Sequence, residues 1–385
     1  MDINYLEVIL KTTSRCNINC SYCYYFHGAD EEWKTRTKRI SSSTLTTLAY
    51  FLKDAVIKHN IPSIQIDFHG GEPLLQRKKA FREACQTFIE YLSPIVKLEF
   101  ALQTNALLID EEWIDIFEHY GVRVSVSLDG PKTINDRFRV DHKGKGTFER
   151  AVKGIQLLGN AVDAKKLKNV ALLCVINPWG SGKQVYRYFV DTLKINTMDF
   201  LLPTKTHEPV KAWEVAKIGN YLLDVWDAWV EDDNPDIKIR FFNALFAALG
   251  GHKAFIFPSN DFSNRKNYAI TIDTDGAIYG DDSLRSNLSW KNYPRLHLEN
   301  TTFDEYLGNE RRWYAEHIKT PDICRSCLWE KVCQGGQLEH RYVEPHGYNH
   351  PSVYCDALKR LYSEVIGYLV HHGLDQDHLQ KVLVA

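Results

Sequence analysis

Charge of either sign is scarce as a net quantity. Across 385 residues, 47 Lys and Arg stand against 49 Asp and Glu, a net charge of −2 at pH 7. That balance excludes the basic footprint of a nucleic-acid binder. Long apolar runs are missing too. The richest late stretch, FFNALFAALGG at 241–251, falls well short of the roughly 20 residues that span a bilayer. The opening MDINYLEVILKTT has acids where the basic region of a signal peptide would stand, so no export signal is expected. Neither internal repeats nor low-complexity tracts occur. These absences point to a cytoplasmic protein with no membrane or nucleic-acid partner. In a reducing compartment, clustered cysteines bind metal more often than they pair as disulfides.

What is present supports a large core: 44% of residues are hydrophobic, with 20 Tyr, 18 Phe and 9 Trp. Such a length suggests more than one domain, or one large α/β barrel. LEVIL, SIQIDF, KLEFALQ, VRVSVSL, NVALLCVI and TMDFLLP read as six strands. Between them lie helical patterns. Leu45, Leu48, Phe51, Leu52 and Val56 share one face, with Ser43 as the expected cap; 78–92, 111–120, 147–159 and 181–193 read alike. Strand and helix in alternation predict βαβ units and a parallel sheet, with functional residues at the C-terminal strand ends. After about residue 208 the alternation stops. Helices are expected near 211–230 and 238–249, a hairpin at NYAITIDTDGAIYGDD around Asp275-Gly276, and a last helix at 356–371.

Nine cysteines are unevenly spread. Cys16, Cys20 and Cys23 form C-x3-C-x2-C directly after the first predicted strand. Three thiolates on one loop can hold three irons of a [4Fe–4S] cube and leave the fourth iron open for a small molecule. A zinc site is the other reading of the spacing, although zinc wants a fourth ligand nearby. A second set, Cys324, Cys327, Cys333 and Cys355, suits zinc or a fully ligated iron–sulfur cluster equally well. Cys85 and Cys174 sit in apolar surroundings and read as buried thiols.

Three short motifs in order decide between these readings: C-x3-C-x-Tyr-C with Tyr22, HGGEP from His69 to Pro73, and SLDG from Ser127 to Gly130. With them the chain resembles the radical S-adenosylmethionine (SAM) superfamily over about residues 5–205. The resemblance implies a partial (β/α)6 barrel, α/β in class. It implies that Cys16, Cys20 and Cys23 hold a [4Fe–4S] cluster whose open iron chelates SAM, and that reductive cleavage yields a 5′-deoxyadenosyl radical. Gly70, Gly71, Glu72 and Pro73 would face the methionyl amine, Tyr22 the adenine, Ser127 the ribose or methionyl end, and Arg139 the SAM carboxylate. An external donor of flavodoxin or ferredoxin type would supply the electron.

The C-terminal cysteines resemble the SPASM extension of peptide-modifying members, which normally carries two auxiliary clusters. Here Gln337 stands at one expected cysteine and Asp281 at another, and no cysteine occurs from 175 to 323. The implied complement is therefore one auxiliary [4Fe–4S] cluster on Cys324, Cys327, Cys333 and Cys355. The expected domains are 1–207 (radical SAM partial barrel), 208–265 (helical connector) and 266–385 (SPASM-like extension).

The chain resembles two kinds of peptide maturase: anaerobic sulfatase maturases, which oxidise Cys or Ser to formylglycine, and cyclophane-forming (XyeB-like) enzymes. His69 before GGEP, the lost auxiliary cluster and the wording NINCSYCYYF favour the second. The expectation is abstraction of a Cβ hydrogen from a ribosomally made precursor peptide, followed by a carbon–carbon crosslink to an aromatic residue. Formylglycine formation is the alternative, and a non-catalytic electron carrier is another. By resemblance, Tyr25, His69 and Asp282 line the substrate space, with Asp282 or His69 taking the proton.

Overall fold

A computed structural model describes residues 3–208, 210–252, 262 and 265–383. Ten strands are present among them: β1 (Tyr5–Thr13), β2 (Ser63–Gly70), β3 (Lys97–Thr104), β4 (Arg123–Ser127), β5 (Val170–Val175), β6 (Thr197–Leu201), β7 (Lys238–Ile239), β8 (Asn267–Ile272), β9 (Ala277–Tyr279) and β10 (Leu296–His297). All six strands expected from the sequence form. The chain divides into two compact units. One comprises 1–128, 135–172 and 262–313; the other comprises 129–134, 173–261 and 314–385.

In the first unit the strand order is β10-β9-β8-β1-β2-β3-β4. Strands β1 to β4 are parallel, and β8 adds to the free side of β1, also parallel. Alternation decides which side chains go where. Leu6, Val8 and Leu10 of β1 and Ile64, Ile66 and Phe68 of β2 are fully buried. This face meets the helices: Phe68 lies 4.3 Å from Phe81 of helix Lys78–Leu92, and Phe81 lies 5.3 Å from Trp113 of helix Glu111–Tyr120. The opposite, inner face carries Tyr5, Glu7 and Lys11 from β1 and Gln65, Asp67 and His69 from β2.

Local signals set the boundaries. Helix Ser42–His59 is capped by Ser41, whose side chain accepts from Thr44 N–H, and not by the expected Ser43; only Ser41 has the extended backbone that a cap requires. The Asp275-Gly276 turn forms as expected between antiparallel β8 and β9, with Gly276 at φ +95°. The segment expected to be helical at 181–193 is α-helical only over Gly182–Arg187 and then widens to π-type turns over Tyr188–Thr192.

The second unit holds the parallel pair β6–β7 and helices Ala212–Asp232, Arg240–Leu249 and Cys355–His371. Trp226 organises them: its ring centroid is 5.2 Å from that of Phe242 and 5.5 Å from that of Tyr368. At Gly219 an added Cβ would come within 3.2 Å of the Ala357 Cβ, so the first and last of these helices approach closely there. The part of the expected connector at 253–261, 263 and 264 lies outside the described residues. Among the described residues no helix is long and apolar enough to cross a membrane.

Candidate active site

Cys16, Cys20 and Cys23 lie on the loop that leaves the C-terminal end of β1. Cys23 N–H bonds to the Cys20 carbonyl at 3.1 Å, and the Cys23 carbonyl receives His27 N–H at 2.8 Å, closing the turn that carries Tyr24 and Tyr25. Burial pushes the Cys16 and Cys23 thiols above their ordinary range, while Lys11 and Arg139 act to lower Cys23. Such thiols ionise when a cationic metal centre takes the place of their protons. The other cysteine of this unit, Cys85, is fully buried within helix Lys78–Leu92. The donor set is therefore three thiols from one loop, which fits a [4Fe–4S] cube with one open iron. Among the described residues no three His, Cys, Asp or Glu side chains converge as a site for a single metal ion.

The HGGEP loop is fastened to that cysteine loop. Gly71 N–H bonds the Thr13 carbonyl, and Glu72 N–H bonds the Arg15 carbonyl, each at 2.9 Å. Gly70 has φ +139°, and a Cβ there would lie 2.4 Å from the Thr13 oxygen; at Gly71 it would lie 2.3 Å from the Arg15 oxygen. The close approach that demands these glycines is thus to the chain leading into Cys16, a reason the sequence did not disclose. Glu72 is 1% exposed, and its carboxylate accepts from Thr104 Oγ1 (2.7 Å), Asn105 N–H (2.8 Å) and Leu74 N–H (3.0 Å). It ties the loop to the end of β3. Pro73 starts the short turn that follows.

Tyr22 and Arg139 are brought together: Arg139 Nη1 donates to the Tyr22 hydroxyl at 2.8 Å. Ser127, at the end of β4, receives Gln103 Nε2 at 2.7 Å. Arg139 also acts electrostatically on Cys23 and Glu72, so one cation faces both the cysteine loop and the HGGEP loop.

Asp282 follows β9 and meets β1 and β2 through one residue that the sequence reading overlooked. Lys11, fully buried, forms an ion pair with Asp282 and donates to His69 Nδ1 at 3.2 Å. Tyr24 donates to Asp282 Oδ2 at 3.1 Å. Burial alone would raise the Asp282 carboxyl; Lys11 and Arg285 outweigh it and hold the group at about 2. Burial, reinforced by Lys11, lowers His69 to about 3, so its imidazole is neutral. Because His69 Nδ1 accepts from both Lys11 and Gly70 N–H (3.0 Å), the remaining ring proton sits on Nε2. His69 therefore offers an N–H donor, and Asp282 is the anionic acceptor.

Tyr25 is 2% exposed, with Lys11 Nζ 5.4 Å and Arg285 Cζ 5.4 Å from its ring centre, and its hydroxyl has no partner. Arg285 is itself fully buried and bonds Asp30 and Asp273, each at 2.6 Å. That network anchors the Asp282 turn to the segment following the cysteines. Lys11, Tyr24 and Arg285 went unnoticed in the sequence, although one signal existed. A lysine inside the first strand, directly after LEVIL, must be paired if it is buried.

In the second unit Cys324, Cys327, Cys333 and Cys355 line one open pocket, together with Trp329 and Tyr362. Burial raises the Cys324, Cys333 and Cys355 thiols, and repulsion adds to it: Cys355 and Cys327 act on Cys324, and Cys355 and Cys324 act on Cys333. Four thiols lining one pocket fit a fully ligated cluster. At the positions where two further cysteines were missed, Asp281 is engaged with Ser283 N–H (3.0 Å) and Oγ (2.6 Å), and Gln337 begins the turn Leu338–His340.

The Radical SAM superfamily model matches residues 10–193. A serine-type anaerobic sulfatase-maturating enzyme of Klebsiella aerogenes is 30% identical over 372 residues, covering 95% of this chain and 86% of that protein. A cysteine-type anaerobic sulfatase-maturating enzyme of Clostridium novyi (strain NT) is 24% identical over 380 residues, covering 95% and 96%. The solved structure of native anSMEcpe with bound AdoMet and Cp18Cys peptide superposes with a TM-score of 0.80 at 21% identity, covering 95% of this chain and 98% of that one. The fold is thus the α/β radical SAM partial barrel with a SPASM-type extension. These near full-length matches overturn the expected cyclophane-forming reading. The features that favoured it, His69 and the missing auxiliary ligands, lie within a chain that aligns with sulfatase-maturating enzymes across 95% of its length.

Proposed function

The chain belongs to the family of the anaerobic sulfatase-maturating enzymes, within the radical SAM superfamily, and on that premise we propose that it oxidises Cβ of a cysteine or serine side chain in a peptide segment to an aldehyde. It is a radical SAM oxidoreductase that uses SAM and iron–sulfur clusters. The observation that carries the reading is the Asp282 carboxylate, held anionic by Lys11 and bonded by Tyr24, in the unit that bears Cys16, Cys20 and Cys23.

The reaction removes two hydrogens from Cβ–OH or Cβ–SH. One leaves as a hydrogen atom and the other as a proton with an electron; a thioaldehyde then exchanges sulfur for oxygen with water. When bound, the clusters and SAM supply the hydrogen-abstracting radical and accept that electron. The chain does the rest. Cys16, Cys20 and Cys23 would hold the first cluster. Backbone of Gly70 to Pro73, with Tyr22, Ser127 and Arg139, would hold SAM, the guanidinium suiting its carboxylate. The Tyr25 hydroxyl and His69 Nε2–H offer donors to the substrate, and Asp282 takes the proton from the heteroatom. Cys324, Cys327, Cys333 and Cys355 would hold one auxiliary cluster. An external flavodoxin- or ferredoxin-type donor and a reducing cytoplasm complete the requirements for iron-bound thiolates.

The test is anaerobic reconstitution with SAM, a reductant, and peptides carrying a central Cys or Ser. The expected product reacts with hydrazine reagents and fragments to an aldehyde at that residue. A product whose lost hydrogens are shared between two residues, and which is inert to hydrazine, would overturn the proposal.

A further inference from the structure

The inner face of the sheet carries a column of polar side chains below the Lys11–Asp282 pair that the chemistry above leaves unused. Strand register stacks it. Lys11 is level with His69, Ile9 with Asp67 and Glu7 with Gln65; Asp67 is in turn level with Ala101 of β3. At the lower end Tyr5 donates to Gln65 Oε1 (3.0 Å), Gln65 Nε2 donates to Glu7 (3.3 Å), and Arg123 bonds Gln65 and lies 3.6 Å from Glu99. That end is open to water, since the Arg123 side chain is 53% exposed and that of Glu99 33%. The upper end is closed: Lys11 and Asp282 are 0% and 8% exposed.

Asp67 lies between the two ends. On its own level it has only Ile9 and Ala101 as neighbours, neither of which can bond it, and its Oδ1 has no partner. The charges that act on it come from above and below: Glu7 and Lys11 on β1, Arg123 on β4, and Asp282 after β9, with Gln65 and His69 flanking it on its own strand. A buried carboxylate oxygen with no partner, set between apolar neighbours, is a feature that folding alone disfavours.

We propose that Asp67 carries the proton released at Asp282 away from the closed end, so that Lys11, Asp67 and the Glu7–Gln65–Tyr5 group form a proton exit through the barrel interior. The proposal rests on the oxidation described above, which delivers one proton to Asp282 per turnover. Lys11 makes no direct bond to Asp67, so protonated Asp282 returns a proton to Lys11 as Lys11 passes one, through an intervening water, to the Asp67 carboxylate. Only O–H and N–H bonds form and break, no electron moves, and Lys11 ends as it began. Asp67 then loses the proton toward the open end. Burial, with Glu7, pushes its carboxyl up to about 7 against the pull of Lys11 and Arg123, which suits a group that must take and release a proton near neutrality.

Asp67 is a positioning and relay residue, so the test reads pH dependence. Reconstituted wild type, Asp67→Asn and Asp67→Glu are compared across neutral pH by the rate at which unmodified peptide disappears. Wild type is expected to speed up as pH rises through about 7. Asp67→Asn is expected to lose that rise and to turn over about tenfold more slowly, with iron content, peptide KM and peptide-free SAM cleavage unchanged. Asp67→Glu should restore the rise. A wild-type rate and profile in Asp67→Asn would overturn the relay, as would a loss of iron or of SAM cleavage in that variant, which would mark a structural role. Because disappearance of peptide is counted, absence of an aldehyde would sink the proposed function alone.

Discussion

The Lys11 ammonium and the Asp282 carboxylate are partners in a buried ion pair that joins the first strand of the chain to the turn after β9. Removing one member of such a pair strands the other, a loss of about 3 kcal/mol or more. Lys11→Met is therefore expected to lower the unfolding free energy by about that amount and to abolish peptide oxidation. The double variant Lys11→Met/Asp282→Asn should recover most of the stability and none of the activity. Denaturant titration beside product analysis checks both. Equal stability of the single and double variants would remove the coupling.

At Gly71 an added methyl would sit 2.3 Å from the Arg15 carbonyl oxygen and 2.5 Å from its carbon. Backbone cannot yield as a flexible side chain would. Gly71→Ala should push the HGGEP loop off the cysteine loop and reduce iron bound at Cys16, Cys20 and Cys23 several-fold. Iron at the four C-terminal cysteines should be spared. Spectroscopy of this variant combined with Cys324→Ala isolates the N-terminal site.

Two sets of thiols, one of three and one of four, predict on the order of eight irons per chain. Cys324→Ala should bring the count down to about four while leaving SAM cleavage in place. Asp281→Cys alone should add none, since that position is already packed against Ser283. Iron assay with electron paramagnetic resonance of the reduced protein distinguishes these outcomes.

His340 is 1% exposed, and burial lowers its pKa to about 3. The unfolded chain binds a proton there near pH 6.5, whereas the folded chain does not. Its contribution to stability is therefore complete above about pH 6.5 and is lost as pH falls toward 3. Each such histidine steepens the acid side by up to about 1.4 kcal/mol per pH unit. Urea midpoints at neutral and mildly acid pH should converge in His340→Phe relative to wild type. An unchanged acid slope in that variant would refute the assignment.

Much of this molecule was written in local pattern. Alternation in LEVIL and SIQIDF is enough to form β1 and β2, because each places one side chain in two against the helices. Asp275-Gly276 is enough for the hairpin, since glycine accepts the positive φ that the turn needs. Cysteine spacing is likewise a local matter: Cys16, Cys20 and Cys23 share a loop whatever else folds around them. Ser41 rather than Ser43 caps its helix because cap choice depends on which backbone turns extended, and either serine could do so.

Residues 16 to 23, 69 to 73 and 127 to 130 disclosed the superfamily without help, because a metal cluster and its cosubstrate demand particular atoms at short range along the chain. Tertiary structure alone decided the electrostatics. Lys11 became a site residue only when β8 docked beside β1 and the turn after β9 carried Asp282 to it. Asp67 became conspicuous only when the register set Ile9 and Ala101 on either side of it. Charge acts through space with no regard for sequence distance, so no local pattern can announce which carboxylate a buried lysine will meet.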